Sequence, residues 1–140
     1  MPAKSKSTLA ATKPLDEKIT INLGYVDLGQ IDLLVHDGFY GNRTDFIRTA
    51  IRNQLSRHAD AVQQSVARQM LVLGIHHFSA ADLRAVQAAG QTLQIRVLGL
   101  ATIAADVTPR LALAAIESVV VLGALHASPA VRAALASRIH

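Results

Sequence analysis

Lys18, Thr20 and Asn22 occupy alternate positions in the run Lys18-Ile19-Thr20-Ile21-Asn22-Leu23, and each side chain can hydrogen-bond to the edge of a nucleic-acid base. Lysine donates to guanine O6 and N7, asparagine pairs bidentately with adenine, and threonine donates, accepts or packs its methyl on thymine. A period of two puts these three on one face of a strand and Ile19, Ile21 and Leu23 on the other. A second grouping, Asn42-Arg43-Thr44-Asp45, has the form of a capped helix start. Free backbone N–H groups at Arg43, Thr44 and Asp45 would make an anion site there, with Arg43 adding charge. The chemistry of the two groupings is base reading and phosphate clamping; otherwise they are a solvated strand face and a surface helix start.

The elements that must position these residues follow from the hydrophobic pattern. Asp27-Leu28-Gly29-Gln30 predicts an Asp N-cap with Gln three residues on, opening a helix whose apolar stripe is Leu28, Ile31, Leu34 and Val35 and which stops at Gly38. After the loop Gly38-Phe39-Tyr40-Gly41, a second helix carries Phe46, Ile47, Ala50, Ile51 and Leu55 at three- and four-residue intervals. Its stripe weakens through Val62, Val66 and Met70 with His58 in line, which extends the helix as a connector to about residue 68. The strand has no partner in the first seventy residues, so its backbone groups need one from another chain. A two-fold dimer supplies it: two copies pair as an antiparallel ribbon, with Ile19, Ile21 and Leu23 of both chains closing over four helices. Such a ribbon has the width to enter the major groove of double-stranded DNA.

Strand, helix and helix, with Lys-Ile-Thr-Ile-Asn-Leu followed by Gly-Phe-Tyr-Gly-Asn-Arg-Thr-Asp-Phe-Ile-Arg-Thr-Ala-Ile-Arg, resemble the ribbon-helix-helix repressors of the Arc/MetJ/CopG superfamily over residues 16 to about 58. The resemblance implies that Lys18, Thr20 and Asn22 contact bases. It further implies that Asn42, Arg43 and Thr44 grip phosphate and that Ile47, Ile51 and Leu55 join the dimer core. Gly24 stands where many such proteins carry proline, and Gly29 weakens the first helix, so the helix boundaries depart from the pattern.

Beyond Met70 the chain turns rich in Ala, Val and Leu. Nine of its fourteen Lys and Arg residues and seven of its ten Asp and Glu residues lie in the first seventy. Val-Leu-Gly occurs at 72–74, 97–99 and 121–123, spacings of 25 and 24 residues, which suggests a stacked unit. Helix starts follow at Ser79, Thr108-Pro109 and Ser128-Pro129. With Gln94 to Val97 and Ser118 to Leu122 as apolar strands, this predicts three strand-plus-helix units in a small parallel, right-handed stack. The expected fold class is mixed α/β. A flexible basic arm (1–15) precedes an intertwined ribbon-helix-helix domain (16–58), a helical connector (59–70) and a small α/β repeat domain (71–140) for oligomerisation or regulation.

Composition sets the limits. Of 140 residues, 51% are hydrophobic and 17% charged, enough for a packed core, and the net charge of +4 suits a polyanionic partner. The chain has no cysteine, which removes disulfides, thiolate metal sites and a Cys nucleophile. No Gly-rich phosphate loop, His-Glu-x-x-His or Gly-x-Ser-x-Gly motif is present, so no catalytic residue is assigned. Among six histidines only His76-His77 cluster, and neighbours on a strand point to opposite faces, so neither a metal site nor a cofactor is expected. There is no apolar run long enough for a membrane span and no signal-peptide core, which makes the expected location cytoplasmic and nucleoid-associated. The expected function is sequence-specific DNA binding by a homodimeric repressor. The competing readings are a DNA-organising protein that polymerises through its second half into higher-order oligomers, and a metal-responsive repressor.

Overall fold

The computed structural model describes residues 16–140; the expected basic arm over 1–15 lies outside the described residues. These form two compact units, Asp16–Ser65 and Val66–His140.

In the first unit residues 17–24 form no helix or strand and lead into α1 (Tyr25–His36) and α2 (Arg43–Arg57). α1 starts two residues before the expected cap at Asp27. Gly24, in extended conformation, takes the cap position, and its carbonyl accepts from Leu28 N at 3.0 Å. Asp27 then lies within the first turn, where a carboxylate favours the positive end of the helix. The other end is the expected Gly38 stop. With φ of 86°, Gly38 donates to Val35 O and Phe39 donates to Leu34 O, closing the last turn through paired reverse hydrogen bonds.

The connector is a separate helix, α3 (Ala59–Gln69), rather than a continuation of α2. At His58, φ and ψ of −101° and 10° tighten the last turn of α2, and the His58 N–H bonds to Leu55 O. α3 ends on the same reverse pattern as α1, with Met70 donating to Ala67 O and Leu71 to Val66 O. Here, however, the left-handed position is filled by Met70, φ 55°, the one described non-glycine residue with positive φ. Its side chain is largely exposed, so removing it gives up little packing. Met70→Gly is expected to raise stability by about 0.5–1 kcal/mol, visible as a higher urea midpoint at unchanged slope.

The second unit is built on a three-stranded parallel sheet, β1 (Val72–Phe78), β2 (Leu93–Ile103) and β3 (Ile116–His126), in that spatial order. The three Val-Leu-Gly triplets fall in register: Val72, Val97 and Val121 share one row, Leu73, Leu98 and Leu122 the next, and Gly74, Gly99 and Gly123 the third. All three glycines have φ between 120° and 137°. The strands run longer than the expected apolar runs at 94–97 and 118–122, because pairing with a neighbour recruits polar flanks such as Thr102. A bulge at Glu117 offsets the start of β3, and the Glu117 carboxylate accepts from Thr92 Oγ1 (3.1 Å) and Gln94 Nε2 (3.2 Å).

The connections are α4 (Ala80–Ala88) and α5 (Pro109–Ala115), with α6 (Pro129–Ala134) after β3. Each starts at its expected cap. Ser79, Thr108 and Ser128 accept through their hydroxyls from the N–H of Asp82, Leu111 and Val131, and Asp82 returns a bond from Ser79 N, which holds its carboxyl below the usual carboxylate range. α5 packs against both α4 and α6. Between helices and sheet lies the core: Leu83, Ile95, Ile116, Val119, Val131 and Leu135 are almost fully inaccessible, each worth about 1.5–3 kcal/mol of burial. Buried Ala80, Ala112 and Ala115 let the helices approach closely. No described helix is long and apolar enough to cross a membrane.

Candidate nucleic-acid interface

Lys18, Thr20 and Asn22 lie on the segment ahead of α1, and all three are exposed. The expected strand is not formed within one chain: residues 18–23 carry no ladder, and Ile19, Ile21 and Leu23 are 77%, 60% and 41% exposed. A strand exists only by pairing, and among the described residues no segment lies beside this one.

The same incompleteness runs through the helices. Ile47 is half-buried while Ile51 and Leu55 are exposed, and α2 has no buried residue. Across Asp16–Ser65 the one buried side chain is Ile31. A unit of this size with one buried side chain cannot offset the entropy of ordering its backbone, so its apolar surface needs a partner.

The helix start is ordered by three local contacts. Asn42 Oδ1 accepts from Asp45 N at 2.7 Å, and Asp45 Oδ2 accepts from Gly41 N at 2.9 Å. Tyr40 and Phe46 meet edge to face with centroids 5.0 Å apart, fixing the loop on α2. Asn42, Arg43 and Thr44 all sit at this exposed start. The Arg43 guanidinium, expected to add positive charge for a phosphate, turns instead to α1. Its Nε and Nη2 donate to the two carboxylate oxygens of Asp32 at 2.7 and 2.8 Å. This forked pair pulls the Asp32 carboxyl below its usual range and raises Arg43 above its own, in each case chiefly through the hydrogen bonds. Arg43 thus cross-braces α1 and α2. The N–H groups of Arg43 and Thr44 are first-turn donors with no acceptor within the helix, whereas Asp45 N is taken by Asn42. Sequence reasoning missed Asp32, which is eleven residues away and carries no signal of its own except an acidic residue on the polar side of α1.

Among the described residues no three His, Asp or Glu side chains gather as metal ligands. His76 and His77 lie on β1.

Two comparisons returned nothing: no curated protein and no solved structure matches the chain. A third did. The sequence pattern of the ribbon-helix-helix transcriptional regulator family matches residues 14–132, taking in the segment ahead of α1, all three leading helices and the sheet. The match runs well past residue 58, where the motif-level resemblance stops.

Proposed function

We propose that this chain, which belongs to the ribbon-helix-helix transcriptional regulator family, is a sequence-specific repressor that reads the major groove with a ribbon made by residues 18–23 of two copies. The observation that supports this best is the unfinished state of the first unit, in which Ile19, Ile21, Leu23, Ile51 and Leu55 are exposed on one chain. Antiparallel pairing of residues 18–23 from two copies would satisfy their backbones and enclose these side chains. It would also display Lys18, Thr20 and Asn22 twice on the solvent side. Lys18 then donates to guanine, Asn22 bonds adenine, and Thr20 contacts thymine or a neighbouring edge. Phosphates are gripped at the start of α2 by the backbone N–H groups of Arg43 and Thr44, with Asn42 and Asp45 holding the turn. Arg43 contributes by bracing the helix pair against Asp32 rather than by its free charge.

The test is fluorescence anisotropy on the chain's own upstream promoter fragment and a scrambled duplex, with the Lys18→Ala/Thr20→Ala/Asn22→Ala variant alongside. Wild type is expected to prefer the promoter, and the variant to remain a folded dimer that binds both duplexes alike. At about 1–3 kcal/mol per lost base contact, the preference falls by roughly 5- to 150-fold for each residue that reads a base. Affinity for either duplex should drop steeply with salt, by roughly 0.9 decades per decade of salt for each phosphate neutralised. Equal binding by the wild type, or a salt-independent affinity, would remove this reading.

A further inference from the structure

The flank of the sheet next to β1 carries an inference that rests on the dimer proposed above. Among the described residues β1 pairs with β2 alone. Its side chains lie in rows with those of β2, yet their exposure differs sharply. Val72 is 52% exposed against 2% for Val97, and Ile75 is 63% exposed against 8% for Leu100. In these rows the residue types are alike, so what β1 lacks is a lateral neighbour. Nothing blunts this edge, since Val72–Phe78 contains no Lys, Arg, Asp, Glu or Pro. The opposite edge is treated differently. Val119 bridges to Ile139 and its carbonyl accepts from His140 N at 2.9 Å, Arg138 donates to Ile116 O, and Arg132 donates to Leu125 O. Among the described residues, C-terminal ones contact the β3 edge at Ile116, Val119 and Leu125, while the β1 edge pairs with no further strand.

We propose that β1 pairs antiparallel with β1 of a second copy, joining two three-stranded sheets into one of six strands. A second copy is the fitting occupant for three reasons. The first unit already requires one, and α3 leads straight into β1, so within that dimer the two edges meet at an effective concentration of roughly millimolar. The edge carries no Lys, Arg, Asp or Glu to repel its own copy. A like edge that pairs antiparallel with its own copy closes as a two-fold and does not propagate. A two-fold axis through the paired strands preserves the faces of the sheet and must pass through a single residue. Ile75 is the middle of the seven, and a register centred there sets Ile75 against Ile75 of the partner subunit and pairs the strands along their whole length.

Because the chain has no cysteine, a single introduced thiol reports contacts unambiguously. Opposed Cα atoms in such a pair are about 4.5–5.5 Å apart, within disulfide range. Full-length Leu73→Cys, Ile75→Cys and His77→Cys are oxidised at low concentration, beside Leu122→Cys as an exposed position on the far strand and Thr20→Cys and Ile21→Cys as reporters of the ribbon. The expected result is a majority of reducible dimer for at least one β1 variant, strongest for Ile75→Cys, and monomer for Leu122→Cys on a non-reducing gel. Ribbon variants that cross-link while no β1 variant does would overturn this pairing and leave the proposed function standing; cross-linking at β1 without the ribbon would do the reverse. Equal cross-linking at Leu122→Cys, or β1 cross-links that arise only after residues 1–15 are deleted, would also overturn it, the latter by assigning the edge to that segment.

Discussion

Gly99→Ala is expected to unfold the Val66–His140 unit. Gly99 has φ of 137°, which an L-residue with a Cβ adopts only under strain, and a Cβ added there would press into the carbonyl oxygen of Gly74. The obstacle is backbone held in a hydrogen-bonded strand, so it cannot rotate aside as a side chain would. The same clash recurs at Gly123, whose Cβ would meet Gly99 O. Strain plus clash costs about 4 kcal/mol or more, against a total stability of roughly 4–11 kcal/mol for a unit of this length. Circular dichroism should show loss of the sheet signal and a collapsed urea midpoint. The control is Gly90→Ala, where φ is also positive, 70°, but the space is open. That change should cost only about 1 kcal/mol. If Gly99→Ala melted like Gly90→Ala, the close approach of β1 and β2 at this row would be refuted.

Ile21→Asp is expected to abolish dimerisation and the fold of the first unit together. With Ile31 the one buried side chain in Asp16–Ser65, that unit has almost no core of its own. Its stability must come from the surface shared between copies. In the proposed ribbon Ile21 lies at the middle of the apolar face, and a carboxylate there would enter the shared core twice, once from each chain, with no partner for its charge. The loss of several kcal/mol exceeds what one amphipathic helix pair can supply alone. Light scattering should report the monomer mass, and the helical signal of α1 and α2 should fall. Thr20→Asp, one residue away on the opposite face, should keep the dimer and lose DNA binding instead. A well-folded Ile21→Asp monomer would refute the intertwined arrangement.

The parts of this architecture legible in the sequence are those decided within a few residues. Ser79, Thr108 and Ser128 announce their helices because a capping hydroxyl reaches an N–H three residues on. The Val-Leu-Gly triplets reveal the stacking because parallel strands one unit apart bring like residues side by side. What stayed hidden depends on distant partners. Asp32 captures Arg43 only because the turn at Gly38 folds α1 back on α2, so the charge at the helix start looked free when it was not. The cap of α1 lies three residues before Asp27, unforeseen because an acidic residue suits a first turn as it does a cap. The break at His58 leaves no trace in a helical pattern whose polar and apolar positions continue across it.

The glycine rows also govern how the second half can change in length. Neighbouring glycines are separated by 25 residues, Gly74 to Gly99, and by 24, Gly99 to Gly123, so the connections and the bulge at Glu117 together already absorb a difference in length. A residue gained within a strand has that freedom only where a bulge takes it up, as at Glu117. Without a bulge it would carry one glycine out of its row, bring a side chain against a carbonyl, and turn the rest of that strand over. Growth or shrinkage within the sheet is therefore quantised: a whole strand-and-helix turn can be added or lost with every row intact, while intermediate lengths survive in the loops or at a bulge.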